Sequence, residues 1–114
     1  MLRARGALCA CVTHPVADAG RFESDEADAR FIIEGSYLGE RRWTDVVEEQ
    51  DGLLMNFTGW AYSLEDYFKT LESAGLTIQS VREPSMDEAA VKQRPSRQRW
   101  RRIPNFLMWR ALKA

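Results

Sequence analysis

The sequence predicts an α/β fold in which one main helix and a β-hairpin accompany strands of a larger sheet. Three observations carry this prediction. Ala7–Thr13 is an almost continuous apolar run that ends just before Pro15, as in a strand buried on both faces. Leu64–Ala74 repeats apolar residues at helical spacing, and Leu76–Arg82 and Phe106–Leu112 read as two further strands. The 114 residues are enough for about one small domain.

The main helix has clear start and stop signals. Ser63 and Asp66 form a capping-box pattern at its start, and Gly75 is a natural stop. A second, short helix is predicted to open around residues 85–88, where Ser85 and Glu88 repeat the capping-box pattern. The apolar face of the main helix consists of Leu64, Tyr67, Phe68, Leu71 and Ala74.

A β-hairpin is predicted in the middle of the chain. Trp43–Glu49 and Leu53–Thr58 are strand-like runs that flank Gln50, Asp51 and Gly52. An Asp-Gly pair favours the positive φ angles of a tight hairpin turn. The preceding residues 16–30 are polar and acidic, which is typical of a surface loop with at most a helical turn.

The strand order follows from the burial patterns. Phe106–Leu112 places apolar side chains on both faces, which suits an interior strand. Leu76–Arg82 alternates and carries Gln79 and Arg82, which suits an edge. We therefore predict that Phe106–Leu112 lies between Leu76–Arg82 and Ala7–Thr13 and runs antiparallel to Leu76–Arg82.

Charge is unevenly distributed along the chain, although the net charge of -1 indicates no partner. Acidic residues dominate positions 15–55, whereas eight basic and no acidic residues follow from Lys92 to the end. Arg94–Arg102 with Trp100 can be a nucleic-acid surface or a loop that packs toward the acidic segment. We favour the loop because no recognised nucleic-acid motif accompanies the charge.

The sequence indicates neither a membrane span nor a signal peptide nor a metal site. No apolar run reaches the length of a membrane span, and the apolar start is shorter than a signal peptide requires. We therefore expect a cytoplasmic protein with no membrane partner. Cys9 and Cys11 are two residues apart on one strand and cannot form a disulfide framework. Together with His14 they could supply three metal ligands, but cysteines on a buried strand usually act as small hydrophobic residues, so no metal is expected.

Local segments along the whole chain resemble the last part of class I S-adenosylmethionine-dependent methyltransferases of the broad "type 11" small-molecule group. The resemblance rests on the order and spacing of pieces that are each weakly specific. The pieces are the turn Leu2-Arg3-Ala4-Arg5-Gly6, the strand Leu8–Thr13 with His14-Pro15, Tyr62–Tyr67 with Leu71 and Ala74-Gly75-Leu76, Val81-Arg82-Glu83-Pro84, Arg102–Leu107 and Ala111-Leu112-Lys113.

The resemblance implies that residues 1–114 are a single partial domain, the C-terminal half of a Rossmann-like methyltransferase. Its fifth, sixth and antiparallel seventh strands would be present, with residues 15–60 as a substrate-side insertion that contains the hairpin. Family members bind S-adenosylmethionine at a Gly-rich turn after the first strand and at an acidic residue after the second. Neither is present, and no G-x-G pattern occurs. The complete family uses S-adenosylmethionine, but we expect no cofactor to bind this chain alone.

Candidate substrate-binding residues come from the sheet rim and from the insertion. His14 follows the carboxyl end of a predicted strand, where α/β sheets bind ligands, and a histidine there can orient or deprotonate a substrate. It can equally be a structural histidine that bonds to the backbone before Pro15. Aromatic side chains with polar atoms suit an organic acceptor, although each can instead seal the hairpin onto the core. These aromatic candidates are Tyr37, Trp43, Trp60 and Tyr62.

We therefore expect the C-terminal, substrate-side part of a methyltransferase that acts on a small organic acceptor and is inactive alone. No catalytic residue is identified from the sequence. One alternative is a non-catalytic partner or dimerisation module that associates through the exposed edge of Ala7–Thr13. A nucleic-acid-binding protein that works through Arg94–Arg102 is the other.

Overall fold

The computed structural model describes residues 5–38, 41–48 and 54–113, and within 41–61 it describes the side chains of Arg41 and residues 59–61. In chain order the elements are β1 (Ala7–Thr13), α1 (Pro15–Asp18), β2 (Gly20–Phe22), β3 (Phe31–Ile33), β4 (Arg41–Glu48), β5 (Leu54–Ala61), α2 (Leu64–Ser73), β6 (Leu76–Arg82), α3 (Glu88–Gln93), a 3-10 helix (Pro95–Arg101) and β7 (Phe106–Lys113).

The main sheet has the predicted strand order, with β7 between β1 and β6. Strand β7 is antiparallel to both neighbours. In the register, Trp109 lies opposite Ala10 on one side and Val81 on the other. Since β1 and β6 both oppose β7, they are parallel to each other, and their carboxyl ends meet at one rim of the sheet.

Helix α2 covers one face of this sheet and forms the core with it. The buried residues of this core are Leu71 on the helix and Leu107, Trp109 and Ala111 on β7. The indole of Trp109 also contacts two helix rings, with centroids 5.5 Å from Tyr67 and 5.8 Å from Phe68. Burial of these apolar side chains removes them from water and holds the helix on the sheet.

The ends of α2 confirm the predicted signals. Ser63 Oγ accepts a hydrogen bond from the Asp66 backbone N–H, and the Asp66 carboxylate accepts one from the Ser63 N–H. These two bonds satisfy backbone donors that the first helical turn leaves free. Gly75 has a φ of 78°, a left-handed conformation that glycine adopts without strain, and it ends the helix.

The opposite face of the sheet is exposed, which corrects the expectation that β1 and β7 are buried on both faces. Cys9 and Cys11 on β1 are exposed, as are Phe106 at 47% and Met108 at 43% on β7. Among the described residues, no element buries this face. The apolar pattern suits a sheet with helices on both sides, and α2 covers only one of them.

Two further pairs of strands flank the main sheet. The predicted hairpin is confirmed as the antiparallel pair of β4 and β5, while the predicted turn at residues 50–52 lies outside the described residues. Strands β2 and β3 also pair antiparallel. Residues 16–30 were expected to be a loop with at most a helical turn. This was wrong for β2, whose three residues are too short to give a periodic signal.

The predicted start of the second short helix was also wrong. Helix α3 begins at Glu88, and its N-cap is Asp87, whose side chain accepts from the Ala90 backbone N–H at 2.8 Å. Ser85 precedes the helix. Both residues are good N-caps, so the sequence alone did not distinguish between them.

The arginine-rich segment packs on the acidic part of the chain. In the 3-10 helix, Trp100 contacts Phe22 and Phe31 edge-to-face at 4.8 and 6.1 Å between centroids. Arg99 binds the Asp25 carboxylate and the Ser24 carbonyl oxygen, and Arg102 binds the Ala29 carbonyl oxygen. These contacts correspond to the packed loop that the sequence analysis favoured.

Candidate functional site

The candidate site lies at the carboxyl end of β1, where the chain turns into α1. The hairpin and the start of α2 contribute to the same region, since Arg41 begins β4 and lies opposite Ala61 at the end of β5. Ligand sites of α/β folds are common at such a strand end, because loops there leave the sheet and can surround a small molecule.

His14 is buried, and both of its ring nitrogens have protein partners. Nδ1 accepts a hydrogen bond from the Val16 backbone N–H at 3.1 Å and caps α1. Nε2 lies 2.6 Å from a carboxylate oxygen of Glu83 at the end of β6. Because Nδ1 accepts, the ring proton is assigned to Nε2, which donates to Glu83. This geometry gives His14 a positioning role, joining the ends of β1 and β6.

The backbone reinforces the same connection. The His14 N–H donates to the Asn105 carbonyl oxygen at 2.9 Å, and the Asn105 N–H donates to the Pro84 carbonyl oxygen at 3.1 Å. The residue that precedes β7 thus bridges the residues that follow β1 and β6. The rim of the site is therefore held by three adjacent strands of the sheet, β1, β7 and β6.

Asp18 and Arg41 are neighbouring residues of opposite charge that the sequence analysis did not single out. One guanidinium nitrogen of Arg41, Nη1, donates to the Asp18 carbonyl oxygen at 3.5 Å, a long hydrogen bond. Burial raises the pKa of the Asp18 carboxyl, and the positive charge of Arg41 opposes this without cancelling it. The site therefore contains a carboxyl that binds a proton more tightly than an exposed aspartate does.

Two tyrosines connect this pair to helix α2. The Tyr37 hydroxyl accepts a hydrogen bond from the Leu64 backbone N–H at 2.9 Å, and the Arg41 guanidinium lies over the Tyr37 ring, 5.5 Å from its centroid. Tyr67 contacts Tyr62 edge-to-face at 5.6 Å between centroids. Burial raises the pKa of the Tyr67 hydroxyl, with smaller contributions from Asp18 and Tyr62, so Tyr67 remains protonated.

An open groove of about 690 Å³ lies beside α2. Tyr62, Tyr67, Thr70 and Trp109 are among the residues that line it. The indole Nε1 of Trp109 is buried and has no hydrogen-bond partner. A volume of this size and an aromatic lining are typical of sites for small organic molecules.

The structure brings some of the predicted site residues together and leaves others apart. Tyr37 and Tyr62 lie beside Arg41 and Tyr67, and His14 supports the rim. Trp60 is 56% exposed, and the side chain of Trp43 lies outside the described residues. Whether these residues bind a substrate stays a prediction.

Sequence reasoning missed Asp18, Arg41 and Tyr67. Asp18 and Arg41 stood among many charged residues of the acidic segment, and Tyr67 was assigned only to the apolar face of the helix. One signal existed for Asp18, because it follows His14 by four residues just past a strand end. Arg41 had no comparable local signal.

The described residues contain neither a cluster of metal ligands nor a membrane-spanning helix. In that part of the chain, no three histidine, cysteine, aspartate or glutamate side chains are placed to hold a metal ion. Cys9 and Cys11 are exposed on the sheet, whereas the ring of His14 is buried against Glu83. None of the described helices is long and apolar enough to cross a membrane.

The sequence matches no protein-family model and no curated protein. Its fold is similar to that of several solved structures, two of which are S-adenosylmethionine-dependent methyltransferases by their description. One is a Listeria monocytogenes protein assigned as an S-adenosylmethionine-dependent methyltransferase, with a TM-score of 0.74, 24% identity, and coverage of 99% of this chain and 50% of that chain. The other is an S-adenosylmethionine-dependent methyltransferase from Mesorhizobium loti, with a TM-score of 0.67, 18% identity, and coverage of 98% and 50%.

The chain therefore has the fold of part of an S-adenosylmethionine-dependent methyltransferase and spans about half the length of the structures it matches. This confirms the predicted fold class. The half coverage is consistent with the C-terminal part that the sequence resembles.

The raised pKa of Asp18 predicts a pH effect on stability. The folded state binds this proton more tightly than the unfolded chain. The proton on Asp18 therefore stabilises the fold. Its contribution to the free energy of unfolding should fall as the pH rises from 3.8, the ordinary pKa of an aspartate, through the raised pKa of Asp18. Asp18→Asn removes this contribution, so we expect a higher urea midpoint than wild type at pH 7 and a smaller difference at pH 4.

Asp28→Asn is the matched control, because Asp28 lies in the same segment and is exposed. Its urea midpoints should follow wild type at both pH values. A lower midpoint for Asp18→Asn at pH 7 would contradict the argument, since ionised Asp18 would then stabilise the fold.

Proposed function

We propose that this chain is the acceptor-side, C-terminal part of an S-adenosylmethionine-dependent methyltransferase that acts on a small organic acceptor. The observation that carries the proposal is the fold match, which covers 99% of this chain and half of the methyltransferase from Listeria monocytogenes. The exposed face of the sheet supports it further, because a complete α/β sheet has elements on both faces. The chain by itself is proposed to be inactive.

The described residues do not fit the methyl donor. A dinucleotide-like ligand in such folds is held by a Gly-rich turn at a helix N-terminus and by an acidic side chain on the ribose. Gly75 ends α2 with a positive φ, and a Cβ atom at Gly20 would lie 2.1 Å from the Ile32 carbonyl oxygen, so backbone conformation explains the first glycine and packing the second. Donor binding is therefore assigned to the remainder of the fold, and the proposal concerns only the acceptor.

The charged and aromatic groups of the site can bind and activate an acceptor. A hydroxyl or amine that receives a methyl group must lose its proton, and a carboxyl with a raised pKa can take that proton. Asp18 is the described group with this property at the rim. Tyr37 and Tyr62 would contact the organic body of the acceptor, with Trp43 and Trp60 as further contacts from the hairpin. His14 would hold the rim in place through Glu83.

A direct test is titration of the purified 114-residue chain with S-adenosylmethionine in a calorimeter. We expect no measurable heat of binding at micromolar ligand, because the groups that hold the donor are outside this chain. The methyltransferase from Mesorhizobium loti, titrated under the same conditions, provides the positive control. A dissociation constant in the micromolar range for this chain would overturn the assignment of the donor site to the rest of the fold.

A second candidate function, a partner or dimerisation module, has its own support. Strand β1 pairs with β7 on one side, and no described strand pairs with its other edge. None of the seven residues of Ala7–Thr13 is charged, although edge strands commonly carry charges that prevent pairing between molecules. The exposed side chains of Phe106 and Met108 continue the apolar surface onto β7.

A nucleic-acid partner has less support from the geometry. Trp100 packs edge-to-face against Phe22 and Phe31, so part of its ring is taken up by contacts within the protein. Arg99 and Arg102 are engaged with the acidic segment. We keep this function only as the least favoured alternative.

The dimerisation candidate predicts that a charge on β1 keeps the chain monomeric. Cys11→Lys places a charge in the middle of the exposed side of β1, where it would oppose pairing of two β1 edges. Light scattering after size-exclusion chromatography should show self-association of wild type and a monomer for Cys11→Lys. Thr77→Lys, on the exposed side of β6, is the matched control and should behave as wild type. A dimer with a dissociation constant in the micromolar range would form at a protein concentration of about 100 µM. A monomeric wild type at that concentration would contradict this candidate.

A further inference from the structure

Arg41 has more hydrogen-bond donors than its surroundings use. Its Nε and Nη2 atoms are buried, and neither has a hydrogen-bond partner among the described residues. The remaining contact is the 3.5 Å bond from Nη1 to the Asp18 carbonyl oxygen. Buried donors without partners are rare, because each loses its hydrogen bonds to water. A guanidinium in this state is a strong binding group for an anion.

The two unpartnered atoms lie on one side of the guanidinium. Nε–H and the adjacent Nη2–H point in parallel, and their spacing matches the two oxygens of a carboxylate. Such paired, charge-assisted hydrogen bonds are stronger than neutral ones, and shielding from water strengthens them further. A neutral amide of the same shape offers one acceptor oxygen and no charge, so it would bind less tightly.

The charges around Arg41 favour a ligand with one negative charge. Asp18 is close enough to sense the charge of Arg41, but no ion pair connects their side chains. A second negative group near Arg41 must overcome repulsion from Asp18, and this repulsion grows with the charge of the ligand. The other arginines near this segment, Arg99 and Arg102, are bound to residues 24–29. Among the described side chains, an arginine with two unpartnered donor atoms beside one aspartate therefore suits a monocarboxylate better than a phosphate dianion.

Aromatic surfaces near Arg41 suit the rest of such a molecule. The guanidinium lies over the Tyr37 ring, which fixes its plane. Tyr62 follows Ala61, the strand partner of Arg41, and lines the groove of about 690 Å³ together with Tyr67 and Trp109. Arg41 does not line the groove itself, so an acid with its carboxylate at Arg41 would extend its aromatic or apolar body past Tyr62 to reach these rings.

We propose that Arg41 binds the carboxylate of the acceptor, and that the acceptor is a small organic acid with an aromatic or apolar body. This inference rests on the proposed acceptor site and names the chemical class of its ligand. To reach the ligand, the guanidinium releases its long bond to the Asp18 carbonyl oxygen and exchanges it for two bonds to the carboxylate. The carboxylate serves as the anchor of the molecule and need not be the group that is methylated.

The test measures binding to the whole 114-residue chain by calorimetry and by NMR shifts of the tyrosine ring protons. The probes are benzoate, its neutral analogue benzamide, and inorganic phosphate. We expect benzoate to bind at least about tenfold more tightly than benzamide, as a lost charge-assisted pair predicts, and more tightly than phosphate. Arg41→Gln and Arg41→Lys should each weaken benzoate by about tenfold or more, because lysine lacks the planar pair of donors.

Arg21→Gln is the matched control, since Arg21 is an exposed arginine paired with Glu34, and it should bind benzoate as wild type does. Equal affinities for benzoate and benzamide, or unchanged benzoate binding by Arg41→Lys, would overturn the proposal. Tighter binding of phosphate would also overturn it in favour of a phosphorylated ligand. The circular dichroism melt shows whether Arg41→Gln folds. If it does not fold, two other results decide the question. They are the comparison of benzoate with benzamide in wild type and the binding of benzoate by Arg41→Lys.

The outcome is separate from that of the proposed function, because no methyl donor or activity enters the experiment. Benzoate binding can fail while the donor titration agrees with the proposed function, which would leave an acceptor site of another chemistry. Conversely, the chain could bind both a carboxylate and, at micromolar concentration, S-adenosylmethionine. Arg41 would then remain an anion site, but the donor site could no longer be assigned to the rest of the fold.

Discussion

The insertion of β7 between β1 and β6 is the constraint on which the rest of the structure depends. Trp109 at its centre is opposite Ala10 and Val81, and its ring contacts Tyr67 and Phe68 on α2. One strand thereby supplies the hydrogen-bond partners of both neighbours and most of the buried core. Because β7 is antiparallel to both, the carboxyl ends of β1 and β6 lie at the same rim. His14 and Glu83 meet there for this reason, and their contact holds the start of the proposed acceptor site.

The site combines this rigid rim with parts of the chain that are far away in sequence. Arg41 comes from the hairpin, Tyr37 from the loop before it, and Tyr62 and Tyr67 from the approach to α2 and from the helix itself. The hydrogen bond from Arg41 to the Asp18 carbonyl oxygen is long, at 3.5 Å, and Nε and Nη2 of Arg41 have no partner among the described residues. Weakly satisfied polar groups beside a well-packed sheet are what a ligand site requires, because the ligand completes the hydrogen bonds. The same groups would be unfavourable in a region with only a structural role.

The parts of the fold that follow from local patterns could be predicted from the sequence, and the site largely could not. The capping box at Ser63, the stop at Gly75, the hairpin and the order of the three strands each depend on periodicity or on a few neighbouring residues. The prediction that β1 is buried on both faces was wrong. An apolar run on both sides of a strand suits a sheet with helices on both faces, but among the described residues only α2 covers the sheet, and it covers one face. Asp18 and Arg41 are 23 residues apart, and nothing in either neighbourhood indicates their partnership, which arises only when the hairpin folds against the end of β1. Tyr67 was assigned to the helix core because its polar atom has no signature in a helical pattern.

The central claim is that β7 is the middle strand and that no described strand pairs with the outer edge of β1. Hydrogen exchange of the backbone amides in the 114-residue chain, followed by NMR or mass spectrometry, tests this most directly. The account predicts that amides of Phe106–Lys113 exchange slowest, since both of their edges are hydrogen-bonded. Amides of β1 should divide into a slow set that bonds to β7 and a fast set that faces the free edge. Uniformly slow exchange along β1 in a monomer, or faster exchange in β7 than in β1 and β6, would contradict the account.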